Sequence, residues 1–263
     1  MTSTLQALLL PLLSLFAIFL VALLTLLHHA RAISGKRPIE RRPLPAISII
    51  RRALERGAET GRAIHVSPGS GAIGSRASTA ATVAGLLAAE RVATEAAFNG
   101  APVLASSGDA VAHLAQRGFL RQAYQQAGFG QDYDPANVQL LAQQDPMAYA
   151  SGVATIYGRQ RLEASQMIGT FGEEFLLAGE AGALADVPQI AGATATTPQP
   201  LIYLTCAGAL IGEEIFAAEA YLSRATAPQA RLLTQDVLRT IVIIAILAVL
   251  VVVLVLRLLG RTL

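Results

Sequence analysis

Two long uncharged apolar runs bracket a middle region in which short apolar stretches alternate with segments of helical spacing. The first run, LQALLLPLLSLFAIFLVALLTLL at residues 5–27, is long enough to cross a hydrocarbon core of roughly 30 Å. The second, IVIIAILAVLVVVLVL at residues 241–256, lies between Arg239 and Arg257, whose long side chains can snorkel from its ends. The pattern predicts transmembrane helices over 1–30 and 238–260. A cleaved secretory leader is the competing reading of the first run, with HHARA as the cleavage site. The run has no basic n-region and exceeds the roughly 7–15 residues of an h-region, so a retained span is expected.

Between the runs the period changes. PAISIIRRALERGAET places Ile47, Ile50, Ala53, Leu54 and Ala58 on one side of a helix and Arg51, Arg52, Glu55 and Glu59 on the other. This helix is expected to lie on the membrane or to cover the domain that follows, within a basic juxtamembrane segment over 31–61. Beyond it, AIHV (63–66), PVLA (102–105), NVQLLA (137–142), ASQMIGT (164–170) and PQIAGA (188–193) each precede a helical segment. Ser78, Asp109 and the Asp145-Pro146 pair stand where helices should begin. Five β-α units in succession predict an α/β domain over 62–224 with a five-stranded, doubly wound parallel sheet, Rossmann- or flavodoxin-like. A linker over 225–237 joins it to the second span.

Charge gives the expected topology. Residues 28–61 hold eight Lys or Arg (Arg31, Lys36, Arg37, Arg41, Arg42, Arg51, Arg52, Arg56) against three Glu, which places this side of the first span in the cytoplasm. The two spans then form a hairpin with a cytoplasmic central domain and both termini outside. Residues 62–230 carry eight Arg and fourteen Asp or Glu, a net charge of −6. An acidic domain argues against nucleic acid as a partner, and the basic flanks suit an anionic lipid bilayer. Lys36 is the only lysine, so the domain offers none for a P-loop or a Schiff base. Cys206 is the only cysteine, excludes an intrachain disulfide, and sits in LTCAGA as a small buried hydrophobe.

The chemistry-bearing candidates cluster at the expected strand ends. HVSPGSGAIGSR carries Gly69, Gly71 and Gly74 in the order G-x-G-x-x-G after an apolar run. The dinucleotide fingerprint also needs a helix directly after the glycine turn and an acid at the end of the second strand, about 20 residues on. Here the helix is expected only near Thr79, and the second strand ends in Ser106-Ser107. Ligands of open α/β sheets bind beyond the carboxyl ends of the strands where the order reverses, which makes Ser67, Gly69, Ser70, Gly71, Ser106, Ser107, Asp109, Thr170, Gly172 and Glu173 the candidate ligand-binding set. His65 and His113 are read as structural rather than as zinc ligands, since no Cys or carboxylate stands at ligand spacing. Glu173-Glu174 and Glu213-Glu214 each follow a glycine at a helix start, where acids are favoured by the helix dipole. A Ser67-His113-Asp109 triad lacks any nucleophile-elbow motif.

The segments RRALERGAETGRAIHVSPGSG, DPANVQLL, AYASGVA, PQIAGATA and LIGEEIFAAEAYLS, followed by a terminal span, resemble an uncharacterised prokaryotic membrane-protein family defined only by a domain of unknown function. The resemblance covers roughly residues 44 to 260 and implies a recurring membrane-anchored α/β unit, without an activity or functional residues to transfer. Composition and motifs together point to a membrane-anchored module for small-ligand binding or assembly, with a homo-oligomer as one outcome. An enzyme with its site beyond the strand ends is the alternative.

Overall fold

A computed structural model of the chain describes residues 2–33, 43–223 and 225–258. Lys36, Arg37, Arg41 and Arg42 of the basic segment, with Arg224 and Arg261, lie outside the described residues. The chain divides into two compact units, one of 1–41 with 224–263 and one spanning Arg42–Ser223.

The first unit is a pair of helices, α1 (Thr2–Ile33) and α9 (Thr226–Leu258), packed against each other. His28 Nδ1 and Thr234 Oγ1 stand 3.1 Å apart, so the end of α1 lies beside the beginning of α9. Both helices contain stretches long and apolar enough to cross a membrane, Pro11–Arg31 and Thr226–Val251. Of the stretch expected to link domain and span, 225–237, residues 226–237 are helical and form the beginning of α9.

The second unit is α/β, and the expectation of five strands is corrected to six. The parallel strands are β1 (Ala63–Gly69), β2 (Val103–Ser107), β3 (Val138–Leu140), β4 (Leu162–Thr170), β5 (Gln189–Ala193) and β6 (Gly208–Ile211). Their spatial order is β3-β2-β1-β4-β5-β6, so the direction of winding reverses between β1 and β4. The missed strand, GALI, is four residues long and half Gly and Ala. It lacks the β-branched run that marks a strand in sequence.

The helices follow the reversal. The helices α2 (Pro45–Thr60), α3 (Thr79–Asn99), α4 (Ala110–Gln126) and α8 (Glu214–Leu222) share one core with Ile64, Val66, Ile168 and Ile190 of the sheet. The other face carries α5 (Pro146–Arg159), α6 (Phe175–Leu184) and α7 (Gln199–Thr205), packed on Leu104, Met167 and Ala191. Burying each of the larger of these side chains, all but Ala191, contributes about 1.5–3 kcal/mol, and both faces are covered, as a parallel sheet requires. The two alternatives for the amphipathic helix resolve in favour of the domain. Ala46, Ile47, Ile50, Ala53 and Leu54 of α2 are buried in the sheet's own core.

Caps stand where the sequence placed two of them. Asp109 Oδ2 accepts the Ala112 N–H at 3.0 Å, and Asp145 Oδ1 accepts the Ala148 N–H at 3.0 Å. Ser78 precedes α3 but makes no side-chain cap; its hydroxyl donates to the Ala72 carbonyl at 2.6 Å. The tightest joint lies between α3 and β4. A Cβ on Gly85 would stand 1.8 Å from the Ile168 carbonyl oxygen, so the helix reaches the strand only because this position has no side chain.

That contact separates two helical glycines, Gly85 buried and Gly118 exposed. Gly85→Ala should lower stability by about 3 kcal/mol or more, since backbone must move to admit the methyl. Gly118→Ala on α4, where an added Cβ meets nothing, should raise it by about 0.8–1 kcal/mol through helix propensity. Far-UV circular dichroism melts of the detergent-solubilised chain check both signs.

Candidate functional site

The loops after β1, β2 and β4 meet where the sheet reverses, which brings the sequence-selected residues together. The Gly108 N–H donates to the Gly69 carbonyl at 3.1 Å, and the Ser70 N–H donates to the Thr170 carbonyl at 3.2 Å. Gly69 has φ +92°, and a Cβ there would lie 2.1 Å from the Thr170 oxygen, so only glycine fits. Gly71 is pressed against the Thr170 side chain in the same way.

These groups bond to one another. Thr170 Oγ1 donates to the Ser78 carbonyl at 3.1 Å and lies 3.0 Å from Thr82 Oγ1. Glu174 Oε1 accepts the Gly172 N–H at 2.9 Å and the Ser70 hydroxyl at 3.1 Å. The Gly74 N–H is taken by Thr79 Oγ1 at 2.8 Å, while Asp109 caps α4. Of the ten candidate residues, Ser67, Gly69, Gly71, Ser106, Ser107 and Asp109 are buried, Ser70, Thr170 and Gly172 are half-buried, and Glu173 is exposed.

This arrangement is the reverse of a pyrophosphate cradle. Such a cradle needs loop N–H groups free to point at the anion and a helix starting at the turn. In this loop the N–H groups of Ser70 and Gly74 already have acceptors, α3 starts at Thr79, and the Glu174 carboxylate sits among the donors. The second acid pair repeats part of the device: Glu214 Oε2 accepts the Ile211 N–H at 3.1 Å.

Beneath the loops runs a buried polar chain that sequence reasoning did not assemble. Tyr157 donates its hydroxyl to Ser165 Oγ at 2.7 Å, and Ser165 Oγ lies 2.8 Å from His65 Nδ1. The other ring nitrogen, Nε2, is 2.8 Å from Ser106 Oγ. Because Ser165 Oγ accepts from Tyr157, its own O–H is available to Nδ1 as acceptor, an arrangement that leaves the ring proton on Nε2, facing Ser106. The Tyr149 hydroxyl is 2.5 Å from Ser67 Oγ, and Ser67 donates to the Ser106 carbonyl at 2.8 Å. Gln116 Nε2 donates to that same carbonyl at 3.1 Å.

Every member of the chain is buried. Burial lowers the His65 pKa to about 4 and raises that of Tyr149 to about 12; Tyr157 is raised further by the same cause. The ring is therefore neutral and both phenols keep their protons at neutral pH. His65 is structural, as its sequence setting suggests. His113 is lowered by partial burial and then by Arg117, and its Nδ1 has no partner, while Ser67 is committed to Ser106 and Tyr149; the Ser67-His113-Asp109 triad does not form. Cys206, expected to be buried, is half-buried; desolvation raises its pKa to about 11 against a smaller opposing bond from Thr205, which disfavours the thiolate. Among the described residues, no three His, Cys, Asp or Glu side chains are grouped to hold a metal ion.

The lowered His65 pKa sets a pH dependence. The unfolded imidazole binds a proton below pH 6.5 and the folded one only below about 4, so stability is complete above 6.5 and falls across this window. The loss should amount to about 3 kcal/mol, and His65→Gln should flatten the slope in denaturant titrations at pH 7 and pH 4.5. In the wild-type chain, the ring's carbon shifts should remain those of neutral imidazole at pH 5.5. A charged ring at that pH in the folded protein would contradict the assignment.

No curated protein and no solved structure matches the chain. A family model does, over residues 5–262, and so takes in both apolar helices together with the sheet. The chain belongs to the family defined by the domain of unknown function DUF6754.

Proposed function

We propose that this protein is a two-span, membrane-anchored assembly module, built on a Rossmann-like topology whose usual ligand crevice is filled from within. The carrying observation is that closure. Ser70, Thr82, Thr170 and Glu174 satisfy one another where an open fold of this strand order would receive a nucleotide. A carboxylate placed among the loop N–H groups repels phosphate.

The opposite property appears along the β6 edge. Tyr203 and Leu204 of α7 are 74% and 80% exposed, and Ile211 of β6 and Phe216 of α8 stand nearby in the chain with 46% and 43% exposed. An unpaired edge strand flanked by apolar side chains suits association with a second copy. Two helices bury little of their surface in lipid by themselves, and self-association adds to that.

The excess of Lys and Arg over 28–61 supports a cytoplasmic central domain with both termini outside. A second reading, a ligand-binding or catalytic site at the same loops, is favoured by the exposed Glu173 beside half-buried Ser70, Thr170 and Gly172.

Native mass spectrometry of the detergent-extracted chain separates the two. A dimer or larger species that Tyr203→Ser with Leu204→Glu converts to monomer supports assembly. Monomer alone, or a retained small molecule, favours the second reading. For topology, Thr2→Cys and Gln131→Cys, each with Cys206→Ala, should label from opposite faces of the membrane, Thr2→Cys from outside. Labelling of Gln131→Cys from outside intact cells would overturn the orientation.

A further inference from the structure

The other end of the sheet holds a cleft that none of the candidate residues reaches. Its volume is about 780 Å³, and it opens where β1 and β4 begin and where α5 and α6 end. Arg62, Arg159 and Arg161 line it, with Tyr157 and Leu162 among its inner residues and Asp186 as its one acid. The three arginines come from three places: the residue before β1, the last residue of α5 and the residue before β4.

Strand pairing sets two of them side by side. Ala63 and Leu162 are register partners on adjacent parallel strands, so Arg62 and Arg161 precede neighbouring positions, with strands about 4.8 Å apart. Like charges set side by side are destabilising. Acids are in surplus, and other arginines use them: Arg56 pairs with Glu163 at 2.6 Å and Arg91 with Glu219 at 3.2 Å. Arg62, Arg159 and Arg161 make no ion pair among the described residues. The carboxyl ends of α5 and α6 each add roughly half a negative charge, which with Asp186 offsets about two of the three cations. A net positive charge of about one remains, on guanidinium groups that are exposed and unpaired.

Chain geometry narrows the ligand. Leu184, 89% exposed, also lines the cleft, so an apolar group stands with the cations. We propose that this cleft is an anion site for a phosphate ester, held by the forked donors of Arg62, Arg159 and Arg161. The phosphate comes from a phospholipid headgroup or from a soluble phosphorylated metabolite. The site is remote from the self-filled loops, so its failure would leave the assembly reading intact.

The test compares thermal melts of the full-length chain in neutral detergent with three additives. These are sodium phosphate, glycerol 3-phosphate and short-chain phosphatidylglycerol, with short-chain diacylglycerol and ionic-strength-matched sodium chloride as controls. A saturable rise in Tm with a phosphate additive, absent from the sodium chloride control, is expected. Its half-saturating concentration should increase at least tenfold in the Arg62→Gln/Arg159→Gln/Arg161→Gln variant. Response to glycerol 3-phosphate identifies a soluble ester as sufficient; response to phosphatidylglycerol alone identifies the headgroup in its lipid. Should the triple variant fail to fold, Arg159→Gln and Arg161→Gln singly should each weaken the response severalfold. No saturable response in the wild-type chain, or an equal response in folded variants, overturns the proposal.

Discussion

The fold turns on how closely β4 is approached from both sides. Gly69 brings the end of β1 against the Thr170 carbonyl, and Gly85 brings α3 against the Ile168 carbonyl, each at a distance that a single methyl would forbid. With α3 seated so low, its alanines at 81, 84, 88, 89, 93 and 96 are enough to fill the space above β1 and β4. Larger side chains there would lift the helix and open the reversal point. The loops after β1 and β4 then stand near enough for Ser70 to donate its N–H to Thr170 and its hydroxyl to Glu174. Close backbone packing is therefore the cause of the filled crevice.

The same closeness explains why buried hydroxyls are tolerated in the sheet. Ser67, Ser106 and Ser165 stand on strands where a parallel sheet ordinarily carries aliphatic residues. Each would cost about 1–3 kcal/mol if left without a partner. The histidine supplies both a donor and an acceptor on one rigid ring, and the two tyrosines on α5, at 149 and 157, are spaced to fall on the same helical face. A chain of this kind ties α5 to the sheet at both Tyr149 and Tyr157, so sliding the helix by a turn would break both bonds.

The sequence made the βα rhythm legible because helix starts carry side-chain signals. Asp109 and Asp145 cap as their positions suggest, and the strands before them are flagged by short apolar runs. What escaped was whatever depends on partners distant in the chain. The strand 208–211 has too few and too small residues to announce itself, and it is a strand because β5 offers it an edge. The loop-end polar residues were recognised, but identical residues serve an open crevice and a closed one. Nothing local to Ser70 says that Glu174, far along the chain, will accept its hydroxyl. The arginine cleft was hidden for a similar reason. Arg159 and Arg161 are close in sequence, but Arg62 joins them only through the pairing of β1 with β4.

Helix dipoles give the two ends of the sheet opposite electrostatic needs. At the carboxyl ends of the strands, helices begin, their N–H groups are unsatisfied, and acids are welcome. Asp109 and Asp145 meet that need by capping α4 and α5, while Glu174 and Glu214 accept the N–H groups of Gly172 and Ile211 just ahead of α6 and α8. At the amino ends, helices α5 and α6 finish, and cations are welcome. Their last carbonyls are also served by backbone turns, as when the Gln160 N–H donates to Ile156 and the Val187 N–H to Gly182. Three guanidinium groups are more than those termini require. The end of the sheet that conventionally holds a ligand is thus neutralised internally, whereas the end that conventionally serves stability alone retains uncommitted charge.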